Sequence, residues 1–309
     1  MLDKFLLEYK DPGVDLKDLS NREKTALIGV LKHEHPLKAL LDGLGFSRSS
    51  YYYQRRAQSL AGKYKALKSH IVELFGVNNY CYGYRRIHGL LAQERTKVSE
   101  KVVRMLMKEA CLAAQPKRKR KYSSYQGEIT PAPENLLERN FHADAPNEKW
   151  LTDITEFHIP AGKVYLSPVV DCFDGMLVSW TVSTRPDAEM VNTMLDLATG
   201  TLHDGEYPII HSDRGCHYRW PGWLERIKKA ALVRSMSKKG CSPDNAACEG
   251  FFGRIKNEMF YNRTWIGVTI DSFIETLDKY LHWYNNKRIK MSLGGMSPVQ
   301  YRLSLGLAP

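Results

Sequence analysis

Near residue 141 the sequence changes period, and that change limits the folds open to the chain. Beyond it, short runs rich in β-branched and aromatic residues alternate with helical patterns. "KWLTDITEFHI", "KVYLSPVVDCFD" and "MLVSWTVST" read as strands, the last two joined by the tight Asp174-Gly175 turn. "RPDAEMVNTMLDLATGTL" reads as a helix with Pro186 in its first turn, "YPIIHSD" as a short buried strand, "WPGWLERIKKA" as a helix and "ALVRSMS" as a strand. The loop "KKGCSP" then leads into the helix "DNAACEGFFGRIKNEM". The order β-β-β-α-β-α-β-α predicts an α/β domain over residues 145–285, a mixed five-stranded sheet with flanking helices. "SFIETLDKYLHWYNNKR" closes it as an amphipathic helix, and residues 286–309, with "SPVQYR", form a tail.

Before the change of period every signal is helical. Residues 1–35 read as a helical segment in which Ser20 and Glu23 have the spacing of a capping box. Residues 36–60 hold two short helices around Gly43 and Gly45, either a helix-turn-helix or a purely structural hairpin of helices. Residues 61–115 are better formed. "GYRRIHGLLAQE" and "SEKVVRMLMKEACL" flank the turn "RTKV", with Ser99 as cap and Val102, Val103, Leu106 and Met107 as the buried face. Lys101, Arg104 and Lys108 share another face, and Arg85 and Arg86 lie on the preceding helix. Such a face is either solvated or, as in a recognition helix, set against phosphates and base edges. Residues 116–144 read as a basic linker: Lys117, Arg118, Lys119, Arg120 and Lys121 run without a break and stay extended until they meet phosphate, unless the run is an import signal.

Charge separates the two halves. The formal net charge is +11, and residues 1–140 carry 26 Lys and Arg against 15 Asp and Glu, whereas the remainder carries 19 against 19. All of the excess lies in the helical half, which points to a polyanion; without a strongly amphipathic basic helix bearing exposed aromatics, nucleic acid is favoured over a membrane surface. The six cysteines show no Cys-x-x-Cys pairing, so neither a disulfide framework nor a zinc ribbon is expected. No apolar run reaches the length of a span and the start lacks a signal-peptide pattern, so a cytoplasmic protein is expected.

Three carboxylates fall at comparable places. Asp153 lies within the first strand, Asp213 follows the buried strand "IIHS", and Glu249 sits about one turn into the later helix. Strand ends and helix starts meet at one edge of an α/β sheet, where ligands bind. Three acids gathered there repel one another unless a cation joins them, and a hard ion such as Mg²⁺ takes oxygen ligands. Taken singly, each is better read as a turn former or helix cap, as Asp171 and Asp174 are by the hairpin; the reading gains force only when the three are taken together with the basic half.

"WLTDITEF", "HSDRG" and "SMSKKGCSPDNAACEGFFGRIKNE" resemble, in order, the catalytic motifs of the OrfB-type DDE transposases of bacterial insertion sequences. Thirty-five residues separate Asp213 from Glu249, and Lys256 stands seven after Glu249, as in that family. "YGYRRIHGLL", "VSEKVVRMLMKE" and "WYNNKRIKMSLGGMSPVQYR" extend the resemblance over residues 36–303, with departures at Lys290 (often His) and His217 (often Gln). The resemblance implies an RNase H-like core, related to retroviral integrase, in which Asp153, Asp213 and Glu249 hold two Mg²⁺ (or Mn²⁺) ions. It implies binding of the terminal inverted repeats and target DNA, strand cleavage, and transfer by a freed 3′-hydroxyl, in an oligomer and in some relatives as a fusion with an upstream helix-turn-helix frame. The location implied is the bacterial cytoplasm, at the nucleoid. Lys256 is then a phosphate contact or a surface lysine; Asn245 is a helix cap or abuts DNA; Lys238 and Lys239 grip a DNA end or are merely solvated. The alternative function is a DNA-binding regulator that keeps the fold without the chemistry. A general RNase H-type nuclease is a third reading.

Overall fold

The computed structural model describes residues 19–114, 133–261 and 263–308. It divides into Met1–Glu73 and Leu74–Pro309. In the first unit α1 (Asn21–Leu31), α2 (Leu37–Gly43) and α3 (Arg48–Lys63) close over Ile28, Leu31, Leu40, Leu41, Leu44, Phe46 and Tyr51. Ser20 and Glu23 form the expected capping box, each satisfying a free N–H at the helix start. The part of the predicted first helix before residue 19 lies outside the described residues.

Helix α4 (Lys65–Val77) crosses the division, and α5 (Tyr84–Gln93) and α6 (Glu100–Glu109) belong to the second unit. Ile87 and Leu91 of α5 pack with Val103, Leu106 and Met107 of α6, which Ser99 caps as expected. This pair is fastened to the rest of the unit: the Ile289 N–H donates to Tyr82 Oη at 2.9 Å, and Gln93 Nε2 donates to Gly295 O at 2.8 Å.

The sheet has six strands where five were expected: β1 (Lys149–Thr152), β2 (Thr155–Ile159), β3 (Gly162–Asp171), β4 (Leu177–Ser183), β5 (Ile209–Ser212) and β6 (Val233–Met236). The extra strand is a break, not an addition. β1 and β2 run along the same edge of β3, pairing with its residues 169–171 and 162–166, and the chain leaves the ladder only at Asp153 and Ile154. β4 covers the other edge of β3. β1, β5 and β6 are parallel to one another, with Thr152 opposite Ser212 and Ser212 opposite Met236. Between the strands come α7 (Ala188–Thr199), α8 (Pro221–Lys229) and α9 (Ala246–Ile255), followed by α10 (Ile270–Asn286) and α11 (Pro298–Ser304). Pro186 precedes α7, whose cap is Asp187, rather than sitting in its first turn.

Alternation along the strands feeds two cores. Trp150, Val169 and Ile210 face α7 and α8. Leu151, Phe157, Val164, Leu166 and Leu177 face α9 and α10, where they meet Cys248, Phe251, Phe252, Ile255, Phe273, Leu277 and Leu281. Each such large apolar side chain contributes roughly 1.5–3 kcal/mol on burial. The segment expected as linker already packs here from Glu134 onward. Glu134 O accepts from Met236 N–H, Leu136 N–H donates to Ser235 Oγ, and Leu137 is buried in the core.

Candidate active site

Register alone brings two of the acids together. Thr152 and Ser212 are partners on adjacent parallel strands, so Asp153 and Asp213 are the next residue on each, at the same strand ends. β6 is parallel as well, so the loop that leaves it and the start of α9 emerge at that edge. In α9 the residues Cys248, Phe251, Phe252 and Ile255 recur at helical spacing and lock one face to the sheet; Glu249 is left half-buried on the neighbouring face. Asp153 and Asp213 are also half-buried.

Each aspartate is held by main chain. Asp153 Oδ1 accepts from the Ile154 N–H at 2.7 Å, which is why the strand breaks here: the amide turns from the ladder to the carboxylate. Asp213 Oδ1 accepts from the Gly215 N–H at 2.9 Å. A Cβ at Gly215 would stand 2.9 Å from that same oxygen and would displace the carboxylate from its present place.

Electrostatically the site is under-compensated. Burial, then the charge of Asp213 and, more weakly, Glu249, pushes the Asp153 carboxyl up to about 8 against the opposing bonds from Ile154 and Asn245. Burial raises Asp213 too, with the Gly215 N–H and His217 opposing. Among the described residues no group of three His, Cys, Asp or Glu side chains is drawn closely enough together to clasp a metal ion unaided. The donors still suit a hard divalent cation. They are carboxylate oxygens in mutual repulsion, and the buried Asn245 Oδ1 beside them has no hydrogen-bond partner.

The other expected site residues divide. Asn245 makes no capping bond to α9; its Nδ2 instead donates to Asp153 Oδ2 at 2.8 Å. Lys238 and Lys239 are exposed on the loop before it. Lys256 begins a π-helical turn (Lys256–Phe260) that ends the regular α9, and its ammonium lies 5.3 Å from the centroid of the Phe157 ring, so it does not simply continue the line of Glu249. Arg85, Lys101, Arg104 and Lys108 are exposed, and the guanidiniums of Arg85 and Arg104 both lie 5.8 Å from the Tyr84 ring, which joins the two helices' cations into one surface. Arg86 does not belong to that surface. Its Nη1 is 3.5 Å from Glu258 Oε1 and its guanidinium is over Tyr82. Lys117, Arg118, Lys119, Arg120 and Lys121 lie outside the described residues.

Sequence reasoning passed over His211, whose only signal was a lone histidine in a strand two residues before Asp213. It also passed over Glu258, which takes Arg288 through both oxygens at 2.7 and 2.6 Å and Tyr280 Oη at 2.8 Å. Lys290, one of the departures, donates to Asp174 O and Gly175 O at 2.7 and 2.9 Å and is engaged in packing.

Residues 143–242 and 249–304 match models of the integrase core domain, and residues 63–120 match an HTH-like domain. A protein named as a transposase for insertion sequence element IS150 in Escherichia coli is 39% identical over 89% of this chain and 96% of its own length. The chain belongs to the integrase-core transposases of insertion sequences. A Shigella flexneri protein, named as a transposase for element IS1353, is 56% identical over 96% of this transposase, which spans only 58% of that relative's length. Among solved structures, the HTLV-2 integrase catalytic core domain aligns over 50% of this chain and 96% of its own, at 18% identity and a TM-score of 0.39. No helix among the described residues is long and apolar enough to cross a membrane.

Proposed function

We propose that this transposase cuts DNA at the ends of its insertion sequence and joins the freed 3′-hydroxyl to a second phosphodiester, with Asp153, Asp213 and Glu249 as its catalytic carboxylates. The observation that carries this is the register of Thr152 against Ser212, which puts Asp153 and Asp213 next to each other on adjacent strands beside the start of α9. These carboxylates would hold two Mg²⁺ ions, Mn²⁺ substituting, and such a pair supplies stabilisation of the attacking and leaving oxygens of an in-line displacement. The protein's share is positioning. Main-chain N–H groups fix both aspartates, and packing of α9 fixes Glu249. Exposed Lys238 and Lys239 border the loop and are suited to phosphate, as is the surface formed by Arg85, Lys101, Arg104 and Lys108 around Tyr84 for the duplex of the terminal repeats. Two ends must meet for joining, so the working form is an oligomer on DNA.

The test is cleavage and strand transfer on a labelled duplex of the element end with Mg²⁺, wild type beside Asp213→Asn. Processed ends from the wild type alone are expected. Equal inertness with retained DNA binding would instead identify a regulator, and equal cutting of a random duplex a general nuclease.

A further inference from the structure

Around the acids, one side chain is placed against expectation. Asn245 immediately precedes α9, the position from which an asparagine normally accepts a bond from the helix's first free N–H groups. Here no such bond forms, and the amide hydrogen goes to Asp153. Asp153 is thereby held at both oxygens, Oδ1 by the Ile154 N–H and Oδ2 by Asn245 Nδ2, so its carboxylate is oriented before any ligand arrives. An aspartate at position 245 would have nearly the same shape but would add a fourth carboxylate to the repulsion and remove the donor. The amide is the form that fits.

Asn245 is itself held from behind. It is 5% exposed, and the carbonyl of Asp244 before it lies 3.0 Å from Nε2 of His211, a β5 residue with no exposed surface. A carbonyl only accepts, so Nε2 carries the proton; Nδ1, 2.8 Å from Ser235 Oγ on β6, then accepts from that hydroxyl. Ser235 Oγ in turn accepts the Leu136 N–H. The Asp244 carboxylate is tied down separately, to Arg139 Nε at 2.9 Å and the Lys238 N–H at 3.0 Å. One imidazole thus sets β5, β6 and the entry to α9 in a fixed relation. These are the elements that carry Asp213, the Lys238–Lys239 loop and Glu249.

We propose that Asn245 is a positioning residue that orients the Asp153 carboxylate for the divalent cation, and that His211 acts behind it by anchoring the Asp244 main chain. The role rests on the reading of Asp153, Asp213 and Glu249 as metal-holding acids and names the residues that keep them in place. Outer-shell partners of metal-binding side chains change affinity or activity by about 10- to 100-fold when removed.

The test uses Mn²⁺ as probe on the full chain without DNA, its binding read by electron paramagnetic resonance, with amide exchange of residues 238–249 measured in parallel. Asn245→Ala and Asn245→Asp should each raise the Mn²⁺ concentration at half-saturation about 10-fold or more. Binding to an element-end duplex in chelator should stay at the wild-type level. His211→Ala should weaken Mn²⁺ binding and speed exchange over 238–249, and His211→Gln, which restores a donor for the Asp244 carbonyl, should recover both. If the alanine variants do not fold, Asn245→Asp and His211→Gln still decide the question. A wild-type Mn²⁺ titration in Asn245→Asp, or no saturable Mn²⁺ binding by the wild type, overturns the proposal. A wild type that binds Mn²⁺ through Asn245 yet fails to process element ends would count against the transposition chemistry alone, and the metal titration would still uphold the positioning role.

Discussion

Two pairs of acids stand at strand ends of one sheet, and the protein treats them in opposite ways. Asp171 ends β3 and Asp174 lies in the turn beyond; both are buried, and Arg302 of α11 reaches them at 2.8 and 2.7 Å. Main-chain N–H groups of Asn147, Phe173 and Met176 complete their bonding. Asp153 and Asp213 are less buried; they receive one main-chain N–H each and one amide between them, and burial pushes both carboxyls up. Acids needed for packing are neutralised from within the fold. A pair of carboxyls pushed up at a parallel strand edge is one whose repulsion an added cation would relieve.

The widest separation of the two pairs should come from removing the internal cation. Arg302→Ala leaves two buried carboxylates unpaired, and breaking a buried ion pair from one side costs about 3–5 kcal/mol. Urea unfolding should show a loss of that size, and a loss below about 1 kcal/mol would dissolve the contrast.

The other pair should respond with the opposite sign. Asp153 keeps its proton in the folded protein up to about 8, whereas its ordinary value is 3.8. Between those values the folded state holds more protons than the unfolded chain, so metal-free stability falls as pH rises through that window. Asp153→Asn should flatten this decline and match or exceed the wild-type melting temperature at pH 8. A wild type whose melting temperature climbs steadily from pH 5 to pH 8 because of this site would show that Asp153 is not under-compensated.

How much of this was legible in the sequence depends on the kind of interaction. The caps at Ser20 and Ser99 were readable because each rests on local spacing. Lost were the relations set by distant partners. Nothing near Arg86 announces Glu258, 172 residues away, so an inward-turned arginine read as a DNA contact. Asn245 had the local signature of a cap, and only the placement of β1 against α9 gave its amide a better acceptor in Asp153. The break in the first strand was hidden because "KWLTDITEFHI" holds no glycine or proline to mark it; the turn at Asp153 comes with a hydrogen bond from the Ile154 N–H. The linker was misjudged at its far end, where Leu137 enters the core.

A smaller effect would sharpen the comparison between basic surfaces. Arg104 is exposed beside Tyr84, whereas Arg86 is committed to Glu258. Arg104→Ala should lower the slope of log affinity against log salt by about 1 on element-end DNA. Arg86→Ala should leave the slope nearly unchanged and act mainly on stability. Equal slope changes would merge the two surfaces.

The most direct measurement is the melting temperature of the DNA-free protein against Mn²⁺ concentration, for wild type and Asp213→Asn at pH 8. A cation that binds the folded state alone stabilises it by RT ln(1 + [L]/Kd), about 2.7 kcal/mol at a hundredfold excess over Kd. The wild type should rise progressively with Mn²⁺ and Asp213→Asn should stay nearly flat. Parallel curves for the two proteins would contradict the claim that these aspartates bind an external cation.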